Sequence, residues 1–434
     1  MNTLKTDRRY IVNLLNRLNV EYCELPFNSL GIMLKADKVP LSHTLDFFLG
    51  YFNYQGISSQ IPALALDPQP GEKVLDIAAA PGSKSTQIAA LMENRGELYL
   101  NDISKGRLQS LNVNVQRAGV LNEIILNMAG ERFGTLFAEY FDKILVDAPC
   151  TALGTLPGSP EVAGWWSYHK LEKLCVSQKQ MLISALKALK PGGELVYSTC
   201  SIAPEENEAL IQWLLDNYPV KILKIPLKKH ISCDDGLTNY NGQSFDREMA
   251  GAIKIYPHEH GMEGFFVIKL KKHGSIGKKD KSVTVSFIPT LHYNEDEIKN
   301  ELNSISDLWG INHSVWKDFR FIKTSQRIWM MCRKIKQVPA QRLHNAGILL
   351  AERRLSGWKL TNQSAQYLNG EINHRKIELT DKQLISFFAD GSMKITGLEY
   401  GYYVLERESK AVATLYSANG QIKIRLPHVF RLAV

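Results

Sequence analysis

Two short apolar runs of this 434-residue chain each end in a cysteine: Lys143-Ile-Leu-Val-Asp-Ala-Pro-Cys150 and Glu194-Leu-Val-Tyr-Ser-Thr-Cys200. The first run also delivers a carboxylate, Asp147. A lone cysteine is usually an inert small hydrophobe. Two at strand ends, one behind Asp-Ala-Pro and the other behind Ser-Thr, point instead to reactive thiols. The thiolate is the nucleophilic form of cysteine, and covalent catalysis by a thiolate splits one hard step into two easier ones. In an open parallel sheet, ligands bind outside the carboxyl ends of the strands. Both cysteines and Asp147 are therefore expected in one cleft. The other four cysteines (Cys23, Cys175, Cys233, Cys332) have no such setting and read as structural. No C-x-x-C pair occurs, so neither a zinc site nor a disulfide framework is expected, and no metal is assigned.

A second constellation is Asp76-Ile-Ala-Ala-Ala-Pro-Gly-Ser-Lys-Ser85. The small residues Ala78, Ala79 and Ala80, with Pro81 and Gly82, let a ligand approach the backbone. Ser83 and Lys84 open a helix whose N-terminus favours a carboxylate or phosphate. The pattern is neither G-x-G-x-x-G nor a P-loop. Asp102 ends the next strand, where an acid can accept hydrogen bonds from ribose hydroxyls; the alternative is that it caps the helix beginning near Ser104. Together these residues predict a nucleoside-containing cofactor.

The elements that must carry these residues are legible. Strands are expected at 73–77, 98–100, 123–126, 143–147 and 194–199, and helices at 83–92, 104–117, 171–189 and 204–217. Pro204 suits the first turn of the last helix, with Glu205 and Glu206 favouring its dipole. Such alternation predicts an α/β protein with a parallel sheet, which 264–270 would finish. Residues 1–65 read as a mainly helical N-terminal, RNA-binding region, with an aromatic run at 48–54 expected to pack on the next domain. The sheet domain covers 66–275. Residues 276–335 are a linker (basic and glycine-containing over 271–282) and a small α/β segment, and 336–434 are a small, mainly β domain. That last segment holds 14 Lys+Arg against 8 Asp+Glu, most of the chain's net charge of +8. This excess favours an acidic partner such as nucleic acid. No run is long and apolar enough for a membrane span, and no signal peptide is read, so a soluble, cytoplasmic protein is expected.

Asp-Ala-Pro-Cys150, Tyr-Ser-Thr-Cys200 followed by Ala203-Pro-Glu-Glu-Asn-Glu208, and Ala78-Ala-Ala-Pro-Gly-Ser-Lys84 together resemble the Sun (nucleolar-protein/Sun) family of RNA cytosine-C5 methyltransferases. The resemblance covers about 45–270, with Pro257-His258 and Glu263-Gly-Phe-Phe266 near its end. It implies a Rossmann-like fold and S-adenosyl-L-methionine held by Ala78 to Lys84, Asp102 and Asp147. It also implies Cys200 as the thiol attacking cytosine carbon 6 and Cys150 as the thiol needed for product release. Asp147 would hydrogen-bond the base at nitrogen 3, and Lys84 would help hold the base or the thiolate. The layout is similar to the bacterial small-subunit ribosomal RNA branch, whose C-terminal domain is PUA-like; the match runs from Gly401-Tyr-Tyr-Val-Leu405 through Asn419-Gly-Gln-Ile-Lys423 to Pro427 and Arg431. The expected partner is RNA, ribosomal RNA or a ribosomal subunit above transfer RNA, acted on by a monomer. The rival class is a non-catalytic RNA-binding assembly factor. Three positions depart from the family: Ala129 where an acid is usual, Cys150-Thr-Ala-Leu-Gly154 for Cys-Ser-Gly-x-Gly, and Gln55-Gly56 where an acid often follows the glutamine.

Overall fold

The computed structural model describes residues 1–35, 40–276 and 285–423. Its centre is β1 (Lys73–Asp76), α1 (Ser83–Leu91), β2 (Glu97–Asn101), α2 (Lys105–Ala118), β3 (Glu123–Leu126), β4 (Phe141–Asp147), α3 (Tyr168–Ala188), β5 (Leu189–Thr199), α4 (Glu208–Asn217) and β6 (Phe265–Lys272). β3, β2, β1, β4 and β5 lie side by side in that order and are parallel, and β6 adds antiparallel to β5. Chain order reverses between β1 and β4, so the crevice that binds ligands in such sheets opens above those two strands. β1 to β3 are continuous apolar runs because helices cover both faces. Leu75, Ile124, Ile144 and Leu195 face one core; Val74, Leu98, Ile125 and Leu145 face the other.

Residues 1–65 depart from the mainly helical expectation. Helices at Arg8–Arg17, Leu45–Phe48 and Ile61–Leu66 still make up most of the regular structure, but Tyr22–Leu25 and Asn28–Leu34 form an antiparallel hairpin. The signal was present in the alternation of Leu30, Ile32 and Leu34, and Ile32 and Leu34 pack on a shared core. The aromatic run at 48–54 meets α2 through Asn53, whose Oδ1 accepts from Arg117. Phe47, Phe52 and Tyr54 cluster, and the Arg117 guanidinium of α2 sits 4.1 Å over the Phe47 ring.

The helix expected from Pro204 begins at Glu208. Glu206 and Asn207 turn inward instead, where their side chains hydrogen-bond Thr151 and Thr199. Such side-chain bonds compete with helix formation. Glu206 is thus not a dipole-compensating surface residue; it is fully buried.

The expected boundary at 335/336 runs through a sheet. Arg327–Cys332 pairs with Ile348–Arg354 in a five-stranded sheet spanning Leu291 to Leu360, and Leu343–Ala346 joins the exposed edge of β3. A separate five-stranded sheet occupies Lys376–Lys423 and shares one core with Ile11, Leu15, Leu41 and Leu45 of the N-terminal region. Alternation within single strands does not reveal which distant strand is the neighbour, so a sheet crosses the expected break. The start of the linker, 271–272, continues β6; residues 277–282 of it, and Pro427 and Arg431 of the C-terminal match, lie outside the described residues. Removal of 336–434 would uncover the β3 edge and strip Ile348, Leu350 and Leu360 from the main core. Truncation there is expected to give insoluble protein, or to lower the thermal midpoint by more than ~10 °C in a circular-dichroism melt, since each lost core residue costs about 2–5 kcal/mol. A soluble 1–335 fragment melting with the full chain would refute this packing account.

Candidate active site

β4 and β5 lie in register, with Asp147 opposite Ser198. Three residues beyond Asp147 and two beyond Ser198, both chains turn across the strand ends and bring Cys150 Sγ to 3.3 Å from Cys200 Sγ. The two thiols are within hydrogen-bond distance, and their surroundings decide which ionises first. The S–H bond from Cys150 holds the Cys200 thiol below its usual value; burial and Asp147 oppose this, and Lys84 assists it. Cys150 is pushed well above the usual thiol range by that same bond, by burial, and by the charges of Cys200 and Glu206. Cys200 is therefore the thiol of the pair that ionises more readily, with Cys150 as its S–H donor.

Lys84 enters from the first turn of α1. Its Nζ lies 2.9 Å from Asp147 Oδ2 and 5.3 Å from the Phe265 ring centre of β6. Ser198 Oγ donates to Asp147 Oδ1 at 2.7 Å, so both oxygens of Asp147 are engaged. Gly82 precedes α1 with φ of 110°, a conformation glycine adopts without strain. Beneath this turn, Ser85 Oγ donates to Asp76 Oδ2 at 2.7 Å, and burial raises the Asp76 carboxyl to about 7.

The Ala78–Ala80 loop lies against the end of β2, where the Ala79 N–H donates to the Asn101 carbonyl at 2.7 Å. Arg107 of α2 ties this loop to the next acid. It bonds the Ala80 carbonyl, and its Nη1 lies 3.2 Å from Asp102 Oδ2. Asp102 serves both readings in part. Oδ1 accepts from the Ser104 N–H at 2.8 Å, whereas α2 is capped by Ser104 itself. Oδ2 is buried and has no hydrogen-bond donor. Beyond the Arg107 ion pair this oxygen lacks a hydrogen bond, which is costly for a buried carboxylate, and a ribose hydroxyl would supply it. With the small-residue loop and the α1 N-terminus alongside, these residues fit a nucleoside-bearing cofactor.

Sequence reasoning missed the groups that hold Cys150. Thr151 N–H donates to Glu206 Oε1 at 2.9 Å and the Thr151 hydroxyl to Oε2, while Gln178 of α3 donates to both Glu206 Oε1 and the Pro149 carbonyl at 2.9 Å. Glu206 stood in the Pro-Glu-Glu-Asn-Glu motif; only its assignment to a helix hid its role. The three departures each have a local setting. Ala152 has φ of 57°, a left-handed conformation that costs a non-glycine residue about 1–2 kcal/mol. A Cβ on Gly56 would lie 2.5 Å from Glu263 Oε2, so the carboxylate of Glu263 fills the room beside Gly56. Ala129 is half-buried at the turn after β3 and offers no acceptor. Among the described residues, Asp234, Glu259 and His260 each bring one ligand-type atom to within 4.8 Å of the others.

Residues 63–271 match the family model described as 16S rRNA methyltransferase RsmB/F. The chain is 31% identical over 394 residues to the ribosomal RNA small subunit methyltransferase F of Escherichia fergusonii, covering 88% of this chain and 79% of that protein. It is 35% identical over 342 residues to the 25S rRNA (cytosine-C(5))-methyltransferase nop2 of Schizosaccharomyces pombe, covering 77% of this chain and 55% of that one. Among solved structures, a methyltransferase homolog from Pyrococcus horikoshii superposes with a TM-score of 0.57 at 39% identity, covering 62% of this chain and 84% of the other.

Proposed function

Because the chain belongs to the RsmB/F family of rRNA methyltransferases, we propose that its paired thiols methylate carbon 5 of a cytosine in small-subunit ribosomal RNA. It is an RNA (cytosine-C5)-methyltransferase that uses S-adenosyl-L-methionine. The observation that carries the reading is the 3.3 Å contact between Cys150 and Cys200 beside the Lys84–Asp147 pair. Carbon 5 of cytosine is too weak a nucleophile to take a methyl group unaided. Cys200, as thiolate, adds to carbon 6 and leaves an enamine whose carbon 5 is nucleophilic. When bound, S-adenosyl-L-methionine supplies the methyl group. Asp147 faces nitrogen 3 of the ring, and Lys84 balances the charge that Asp147 and the thiolate bring together. Cys150 then assists release, in which the carbon-5 proton leaves and the bond from carbon 6 to Cys200 breaks. The base must leave its stack to reach this cleft, at a cost of a few kcal/mol.

Ala78, Ala79, Ala80, Pro81, Gly82, Ser83, Lys84 and Asp147 would hold the cofactor, and Asp102 would accept from its ribose hydroxyls. Asp102→Ala is expected to weaken S-adenosyl-L-methionine binding by about 1–3 kcal/mol in calorimetry, the cost of leaving ribose hydroxyls without a charged acceptor. An unchanged affinity would leave Asp102 a local role, bonding the Ser104 N–H and pairing with Arg107.

RNA binding is assigned to the N-terminal region and the C-terminal sheet, the latter as a PUA-like module. Their shared core supports a joint surface. The enzyme is taken to act as a cytoplasmic monomer. No described helix is long and apolar enough to cross a membrane. Bisulfite sequencing of ribosomal and transfer RNA from a deletion strain tests the substrate: loss of one 5-methylcytosine in small-subunit rRNA supports the reading, and loss in transfer RNA alone overturns it. The assembly-factor alternative predicts no missing mark in either.

A further inference from the structure

We infer that Glu206 is a positioning residue for the second thiol: by holding the Pro149-Cys150-Thr151 turn through Thr151 and Gln178, it keeps Cys150 presenting its S–H to Cys200. The inference rests on the proposed roles of the two cysteines and assigns a task to a residue outside them. Glu206 is fully buried, yet its oxygens accept from the Thr151 N–H, the Thr151 hydroxyl and Gln178 Nε2. Its own carbonyl accepts from Tyr197 Oη at 2.7 Å, which anchors it to β5. The turn is tied on both sides of Cys150, since Gln178 also reaches the Pro149 carbonyl. Thr151 Oγ1 further lies 3.0 Å from Ser201 Oγ, so the residues after the two cysteines are joined directly. Burying a charge is costly unless its lone pairs are filled, and here the groups that fill them are those of the turn that carries Cys150 and of Gln178, which holds that turn.

The position of the charge matters as much as its bonds. The ionisable groups facing the pair are Lys84 from α1, Asp147 from β4, Tyr197 from β5, Cys175 from α3 and Glu206 itself. Lys84 favours charge on Cys200, and Glu206 disfavours it on Cys150. Cys150 therefore holds its proton longer, and the attacking thiol is the one that ionises first. No bond is made or broken by Glu206.

The test is alkylation of the full-length protein by iodoacetamide across pH 5 to 10, with each cysteine quantified by peptide mass spectrometry. In the wild type, Cys200 is expected to react at lower pH than Cys150. In Glu206→Gln the gap should close, with Cys150 labelling at pH 7 rising about tenfold or more. With RNA, the same variant should lower kcat while leaving the affinity for S-adenosyl-L-methionine within about twofold. If Glu206→Gln does not fold, Gln178→Ala decides: it keeps the charge but frees Pro149, and the Cys200 labelling curve should move to higher pH. Wild-type labelling order and curves in the folded variant overturn the inference. If the variants shift labelling as expected but the wild type methylates no RNA, the functional reading fails and the role of Glu206 in ordering the thiols stands.

Discussion

Cys150→Ala protein mixed with substrate RNA and S-adenosyl-L-methionine is expected to run on a denaturing gel as a band heavier by the mass of the RNA. The band should resist denaturant and vanish on nuclease treatment. With Cys200 intact beside Lys84, attack on carbon 6 and methylation proceed; without Cys150, release stalls and the covalent bond persists. Cys200→Ala should give no such band and should lose methyl transfer by ~10³-fold or more, because the reaction then lacks its nucleophile. Cofactor affinity should be kept, since the Ala78–Lys84 loop and Asp102 are untouched. The double variant should resemble Cys200→Ala. An adduct from Cys200→Ala in place of Cys150→Ala would exchange the two roles, and no adduct from any variant would make both cysteines packing residues.

Lys84→Met should fail in a different way, visible in the pH dependence. The Cys200 thiol is held below its usual value partly by Lys84, whereas Asp147 pushes it up. With the ammonium gone, the bond from Cys150 is left to oppose burial and Asp147 with less help, so the Cys200 thiol rises. Attack needs the thiolate, so the rate limb that climbs with pH should move to higher pH. At pH 7 the variant should form adduct at least tenfold more slowly, and part of that loss should return at pH 9. The methionine keeps most of the buried stem, so packing against Phe265 is largely retained. A rate reduced equally at every pH would mean that Lys84 holds the base and does not tune the thiol. Asp147→Asn is the companion variant: it removes the anion that opposes ionisation, so its limb should move to lower pH even as base recognition falls.

The local order of the chain was enough to read the sheet and to name the thiols. β1 to β5 announced themselves as short apolar runs bounded by turn formers, and helices between them forced the strands to be parallel. Because ligands sit at the carboxyl ends of such strands, Asp147, Cys150 and Cys200 could be placed in one cleft from spacing alone. The Asp-Ala-Pro-Cys and Ser-Thr-Cys motifs then supplied the chemistry. Residue type carries this information because a thiol at a strand end is exposed to the site whatever the distant chain does.

Tertiary structure alone decided what surrounds each group. Glu206 and Asn207 looked like the first turn of a helix, yet buried hydrogen bonds to Thr151 and Thr199, from segments about fifty and eight residues away, outbid that local preference. Strand Leu343–Ala346 carries no mark in its sequence of pairing with β3, more than two hundred residues earlier, so the domain break was drawn through a sheet. The choice between the two cysteines is of the same kind. Both are strand-end thiols of equal intrinsic acidity, and what separates them is their mutual hydrogen bond, their burial, and the placement of Lys84 near one and Glu206 near the other. Electrostatic and hydrogen-bond energies depend on distance in space, which the fold sets and the order of residues does not state.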